Sequence, residues 1–108
     1  MPVVEFAVFA ALADPTRRRL LELLVQVGRT SATVLAGQVP VSRQMVVKHL
    51  RLLQAAGLVS VARSGREVLY VARSDPLDDS ARWLAELSAA CHHRPPGDRG
   101  PAAGALSG

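Results

Sequence analysis

The hydrophobic positions change their spacing several times along this chain, and each change marks an element. Val3 to Leu12 is apolar on nearly every side, the pattern of a helix covered from more than one direction. Asp14-Pro15-Thr16 predicts a helix start, with a capping carboxylate and a proline placed where its missing N–H costs nothing. Leu20, Leu21, Leu24 and Val27 carry that helix to Gly28. A second cap signal at Thr30 and Ser31 opens a short helix through Val34, Leu35 and Gln38, which Val39-Pro40 ends. Ser42 caps the next helix, and Gly57 closes it. Its inward stripe is predicted at Met45, Val46, His49, Leu50 and Leu53, which leaves Arg43, Gln44, Val47, Lys48 and Arg51 facing out.

After Gly57 the period becomes two. Val59 and Val61 lead to a Ser64-Gly65 turn pair, and Val68, Tyr70 and Ala72 lead away from it, which predicts a β-hairpin. Asp75-Pro76 opens a last helix with Leu77, Trp83, Leu84, Leu87 and Cys91 on one side. The expected fold is mainly α with a small β-hairpin: about five helices, two of them forming a helix-turn-helix, and the hairpin as a wing. Residues 1–93 are expected to form one domain for DNA binding and dimerisation. The segment 94–108 holds three prolines and four glycines and is expected to be a disordered tail.

Charge sharpens this picture. The chain has 108 residues and a net charge of +4, but the excess is local. Between Ser42 and Arg73 stand Arg43, Lys48, Arg51, Arg63, Arg66 and Arg73 against the single acid Glu67. A cationic helix beside a cationic hairpin suits a polyanion lying across both. The major groove of duplex DNA admits an α-helix whose first turns reach base edges. Arg43 and Lys48 could donate to guanine, Gln44 could read adenine, and Val47 could touch a thymine methyl. Ser42 and Arg51 are better placed for phosphates. Arg63 and Arg66, at the hairpin tip, suit the adjacent minor groove or its phosphates.

Three segments also carry a family resemblance: ALADPTRRRLLELL (residues 11–24), VSRQMVVKHLRLLQAAGLV (41–59) and GREVLYVA (65–72). In order and spacing they resemble the ArsR-type winged helix-turn-helix repressors of bacteria. The resemblance implies a homodimer that pairs through its first and last helices, binds a pseudo-palindromic operator and represses transcription. It puts Ser42, Arg43, Gln44, Val47, Lys48 and Arg51 at the DNA-facing positions. It also implies a subunit interface containing Val4, Phe6, Phe9, Trp83, Leu84 and Leu87, which the all-round apolar first helix fits independently. Gln44 stands where the family commonly has proline and Val47 where it has serine, so the operator sequence does not carry over.

Many relatives sense metals, and the resemblance implies two ligand sets. One is a Cys-x-Cys in the first helix of the helix-turn-helix, where this chain has Ser31-Ala32-Thr33. The other, on the last helix, falls on Asp79, Ala81, His92 and Pro95, two of four ligands and too few for a closed tetrahedral site. No metal site and no cofactor are expected. Cys91, His92 and His93 are read as a buried thiol beside two frayed histidines, with a metal- or redox-responsive role for Cys91 and His92 kept as an alternative. His49 is expected to be a core histidine. The run Arg17-Arg18-Arg19 is read as mainly structural, with Arg17 the best phosphate candidate among the three.

Other classes find less support. A winged-helix protein-interaction module without specific DNA binding remains the second reading, but it should display apolar residues on the outer face of helix 42–56, where only Val47 is apolar. Nothing assembles into an enzyme's constellation: there is no Gly-rich phosphate loop and no paired carboxylates in a cleft. One cysteine allows no intrachain disulfide. No apolar run is long enough for a bilayer, and the apolar Met1–Ala13 lacks a basic start and carries Glu5, unlike a secretory signal. The expected partners are double-stranded DNA and a second copy of the chain, in the cytoplasm and with no membrane. An effector small molecule is left unidentified.

Overall fold

A computed structural model describes residues 3–93, with side chains from Phe6 onward. The tail 94–108 and the side chain of Val4 lie outside the described residues. Five helices and three strands follow in the order α1 (Val3–Ala11), α2 (Pro15–Val27), β1 (Arg29–Ser31), α3 (Ala32–Ala36), α4 (Arg43–Ala55), β2 (Val59–Ser64), β3 (Glu67–Ala72) and α5 (Asp75–His92). This is the winged helix-turn-helix expected, with one addition. Residues 29–31 form a strand as well as a cap, pairing antiparallel with β3 so that the sheet runs β1-β3-β2.

The starts of α2, α3 and α4 are set by side-chain caps. The Asp14 carboxylate accepts from the Arg17 amide at 3.0 Å, Ser31 Oγ from Val34 at 3.3 Å and Ser42 Oγ from Met45 at 3.2 Å. Each satisfies an amide that the first helical turn leaves open. The wing turns at Gly65-Arg66, closed by the Ser64–Glu67 pair, one residue later than the Ser64-Gly65 pair expected. Gly65 has φ of +62° and Arg66 a negative φ, the signs of a type II′ hairpin turn, which matches strand twist and favours glycine first. At the end of α4, Gly57 has φ of +79°, and a Cβ there would sit 3.2 Å from Pro76 Cγ. Glycine is therefore required twice over at the turn from α4 into the wing.

The core joins all three layers. Val8 of α1, Leu20 and Leu24 of α2, Leu35 of α3, Val46, Leu50 and Leu53 of α4, and Leu58 are almost completely inaccessible. Each contributes roughly 1.5–3 kcal/mol of transfer free energy. Two helical positions differ from the inward stripe that periodicity suggests. Met45 is 40% exposed, because the buried face of α4 is the narrower set i, i+4, i+7 from Val46. Val47, expected to face out, is half-buried and packed against the core from its edge.

The outer end of the fold is different. α5 packs along α1, with the rings of Phe9 and Trp83 5.8 Å apart and tilted by 47°, yet Ser80 is its only buried residue. Leu84, Leu87 and, on α1, Phe6 stand 48%, 49% and 62% exposed. Cys91 is exposed too, not the buried thiol expected, since none of the described residues covers that end of α5.

Candidate nucleic-acid interface

The site begins with the residue before α4. Ser42 is extended and ends the turn that follows α3, so Arg43 and Gln44 project from the first turn of α4. From there two adjoining strips run along the exposed face. Arg43, Val47 and Arg51 repeat at i, i+4 and i+8, while Gln44 and Lys48 repeat at i and i+4 beside them. Ser42, Arg43, Gln44, Lys48 and Arg51 are all exposed, and so are Arg63 and Arg66 at the wing tip.

The first strip does not simply face solvent. With the start of α3 and the strand β3 it encloses a groove of about 640 Å³, lined among others by Thr33, Arg43, Val47, Arg51, Arg66 and Tyr70. Arg43 leans into this groove because its Nε donates to Thr33 Oγ1 at 3.0 Å. Gln44 and Lys48 do not line it. Thr33 and Tyr70 were not legible as functional residues. Thr33 meets Arg43 only through the turn between α3 and α4, and Tyr70 reads as an ordinary inward strand position.

The electrostatics point outward. The ion pairs among the described residues are Arg19–Glu22 at 3.6 Å and Arg82–Asp79 at 3.2 Å, both within single helices elsewhere. Arg43, Lys48, Arg51, Arg63 and Arg66 therefore have no ion-pair partner among the described residues, and their mutual repulsion is relieved when a polyanion binds.

Arg17 has the structural task expected of its run, and its side chain is engaged within the protein. Its Nε donates to the Ala11 carbonyl at 2.6 Å, one terminal nitrogen to Ala10 O at 3.3 Å, and the other lies 3.5 Å from His49 Nδ1. A guanidinium can only donate, so Nδ1 of His49 is the acceptor. Arg18 adds a bond to Leu12 O at 3.1 Å. The carbonyls of Ala10, Ala11 and Leu12, at and just past the end of α1, thus accept from two arginines of α2, and one of these arginines reaches on to α4. His49 is half-buried, and an arginine side chain partners it rather than backbone. The Asp14 carboxyl is held below its ordinary value, first by the backbone N–H of Arg17 and further by the nearby guanidinium charge of Arg17.

On α5, Asp79 is paired with Arg82, and His92 and His93 are exposed. Among the described residues no three of His, Cys, Asp and Glu gather as a ligand set. None of the described helices is long and apolar enough to cross a membrane.

Comparison with known proteins agrees with this geometry. The helix-turn-helix domain family model matches residues 12–62. The transcriptional repressor SdpR of Bacillus subtilis is 35% identical over 77 residues, which cover 71% of this chain and 84% of that protein. The structure of an ArsR-like transcriptional regulator from Rhodococcus sp. RHA1 superposes with a TM-score of 0.75 at 41% identity, covering 89% of this chain and 90% of the other. A homodimeric winged helix-turn-helix DNA-binding domain from Mycobacterium bovis, a possible ArsR-family regulator, gives 0.61 at 28% identity over 82% and 80% of the two chains. The fold and its exposed cations define a DNA-binding regulator of transcription, not an enzyme. The chain belongs to the ArsR family of winged helix-turn-helix regulators.

Proposed function

We propose that the protein is a homodimeric, cytoplasmic repressor that binds a pseudo-palindromic operator, with α4 of each subunit in the major groove and the β2–β3 wing on the flanking backbone. The observation that carries this reading is the row of cations from Arg43 to Arg66 that have no ion-pair partner among the described residues, set on a helix and a hairpin that one duplex can touch together. Dimerisation is supported by the exposed apolar side chains Phe6, Leu84 and Leu87 on the two helices that the Phe9–Trp83 contact joins, and by the homodimeric mycobacterial relative. Two copies would place two recognition helices on one face of the duplex. Val47, the one apolar residue of the strip facing the wing, packs against the core, which weakens the reading of that face as a protein-docking surface.

The direct test is a gel shift with the DNA upstream of the protein's own gene, alongside a random duplex of equal length and across a salt series. Specific binding should exceed non-specific binding by roughly 10³-fold or more, and both should fall steeply with salt. Equal affinity for the two duplexes would remove the repressor reading. Selection from a random duplex pool, run with and without zinc, gives the operator itself and shows whether a metal alters binding.

A further inference from the structure

We propose that the groove between α3, α4 and the wing is a seat for one backbone phosphate, and that Thr33 commits Arg43 to it rather than to a base. The inference rests on the proposed DNA binding and reassigns one residue within it. Position alone makes Arg43 a base reader, since it stands in the first turn of α4. The side chain does otherwise. Its Nε is held by Thr33 Oγ1 at 3.0 Å, which turns the guanidinium back across the mouth of the groove toward α3. There it shares the lining with Arg51 and Arg66, so three arginines, from the start of α4, the middle of α4 and the wing tip, line one concavity. Its one acid, Glu67, is exposed, and three arginines against it keep the lining cationic.

Tyr70 supports the same assignment from below. It is only 8% exposed, lines the groove, and its hydroxyl has no hydrogen-bond partner among the described residues. A tyrosine this deep usually finds a partner for its O–H, and a phosphate oxygen in the groove would provide one. Arginine forks match phosphate oxygens in a bidentate geometry, and a bond at Nε leaves both terminal nitrogens of Arg43 to make it. Gln44 and Lys48, outside the groove, are then the side chains of α4 free to reach base edges. Thr33 is a positioning residue, acting through Arg43.

The test uses the full chain with its selected operator and a random duplex of the same length. Arg43→Ala should weaken binding to both by the same factor and lower the slope of log affinity against log salt by about one. Thr33→Val should weaken both by about three- to tenfold, Thr33→Ser should restore wild-type affinity, and Thr33→Val should add nothing in an Arg43→Ala background. Replacing single operator phosphates with neutral methylphosphonates should reveal one position per half-site where Arg43→Ala loses clearly less affinity than wild type, and Thr33→Val should show the same reduction. If Arg43→Ala instead relaxes specificity at one base pair and leaves the salt slope unchanged, Arg43 reads a base and the proposal is overturned while DNA binding stands. If wild type shows no salt-dependent binding to either duplex, the functional reading falls, and this inference with it.

Discussion

The α4–wing side and the α1–α5 side of this molecule leave opposite kinds of surface exposed. On the first, Val46, Leu50 and Leu53 of α4 are drawn into the core, Met45 and Leu52 stay partly exposed, and cations without ion-pair partners among the described residues remain outside. On the second, Leu84, Leu87 and Phe6 stay about half or more exposed. A charged surface can remain in water indefinitely and wait for a polyanion. An apolar one is costly to hydrate, and a contiguous patch of this sort marks an interface. One side therefore suits a transient partner and the other a lasting one.

Four substitutions put the contrast at risk. The largest effect is expected from Leu87→Asp on the apolar side, which places a charge in the proposed subunit contact while leaving the core untouched. It should give a folded monomer by sedimentation, and operator affinity should fall by ~10² or more, because two linked half-site contacts become one. A variant that stays dimeric would move the interface elsewhere. Next is Arg17→Met, which removes the bonds to Ala10 and Ala11 and the link to His49. A loss of about 2 kcal/mol in denaturant unfolding is expected, as for a partly buried, charge-assisted network. An unchanged midpoint would mean that water replaces the arginine at no cost.

On the charged side, Lys48→Ala should weaken operator binding by roughly tenfold and random-duplex binding by less, the mark of a base contact. Equal losses would make Lys48 a phosphate contact. The smallest effect concerns Asp14, whose folded pKa lies below the ordinary 3.8 because the Arg17 amide donates to its charged form. A depressed carboxylate contributes stability that is fully present above pH 3.8 and is lost as pH falls through its lower folded value. Acid unfolding should thus begin below about pH 4, and Asp14→Asn should flatten that part of the profile. If the profile is unchanged, the cap does not titrate in this window.

Much of the charged side was legible from local rules. The caps at Asp14, Ser31 and Ser42, the proline at the start of α2, the change of period after Gly57 and the glycine in the wing turn are written in neighbouring residues, and each forms close to where those residues indicate. What stayed hidden is whatever depends on meeting a distant segment. Strand β1 is three residues long, too short to show alternation, and exists because β3 offers it a ladder. Met45 and Val47 exchanged their expected exposures because the core presses on α4 from a narrower arc than a period of 3.6 residues suggests. Arg17 meets His49 across 32 residues of sequence and Arg43 meets Thr33 across the helix-turn-helix turn, and neither pairing leaves a trace in spacing. The apolar side was legible only in outline: its residues were recognisable as hydrophobic, but their exposure depends on which neighbours are absent in one protomer.

The arginine strap has a mechanical consequence. One guanidinium spans the end of α1 and the middle of α4, so the helix beside the apolar surface and the helix that carries the cations are braced as a single lever. A second copy seated on that surface would fix the gap between two such levers as well as their number. The assembly would then gauge distance along DNA like a calliper, accepting half-sites about one helical turn, or ~34 Å, apart and rejecting the same letters shifted by a few base pairs. Loosening the brace should blur the measurement before it blurs the reading.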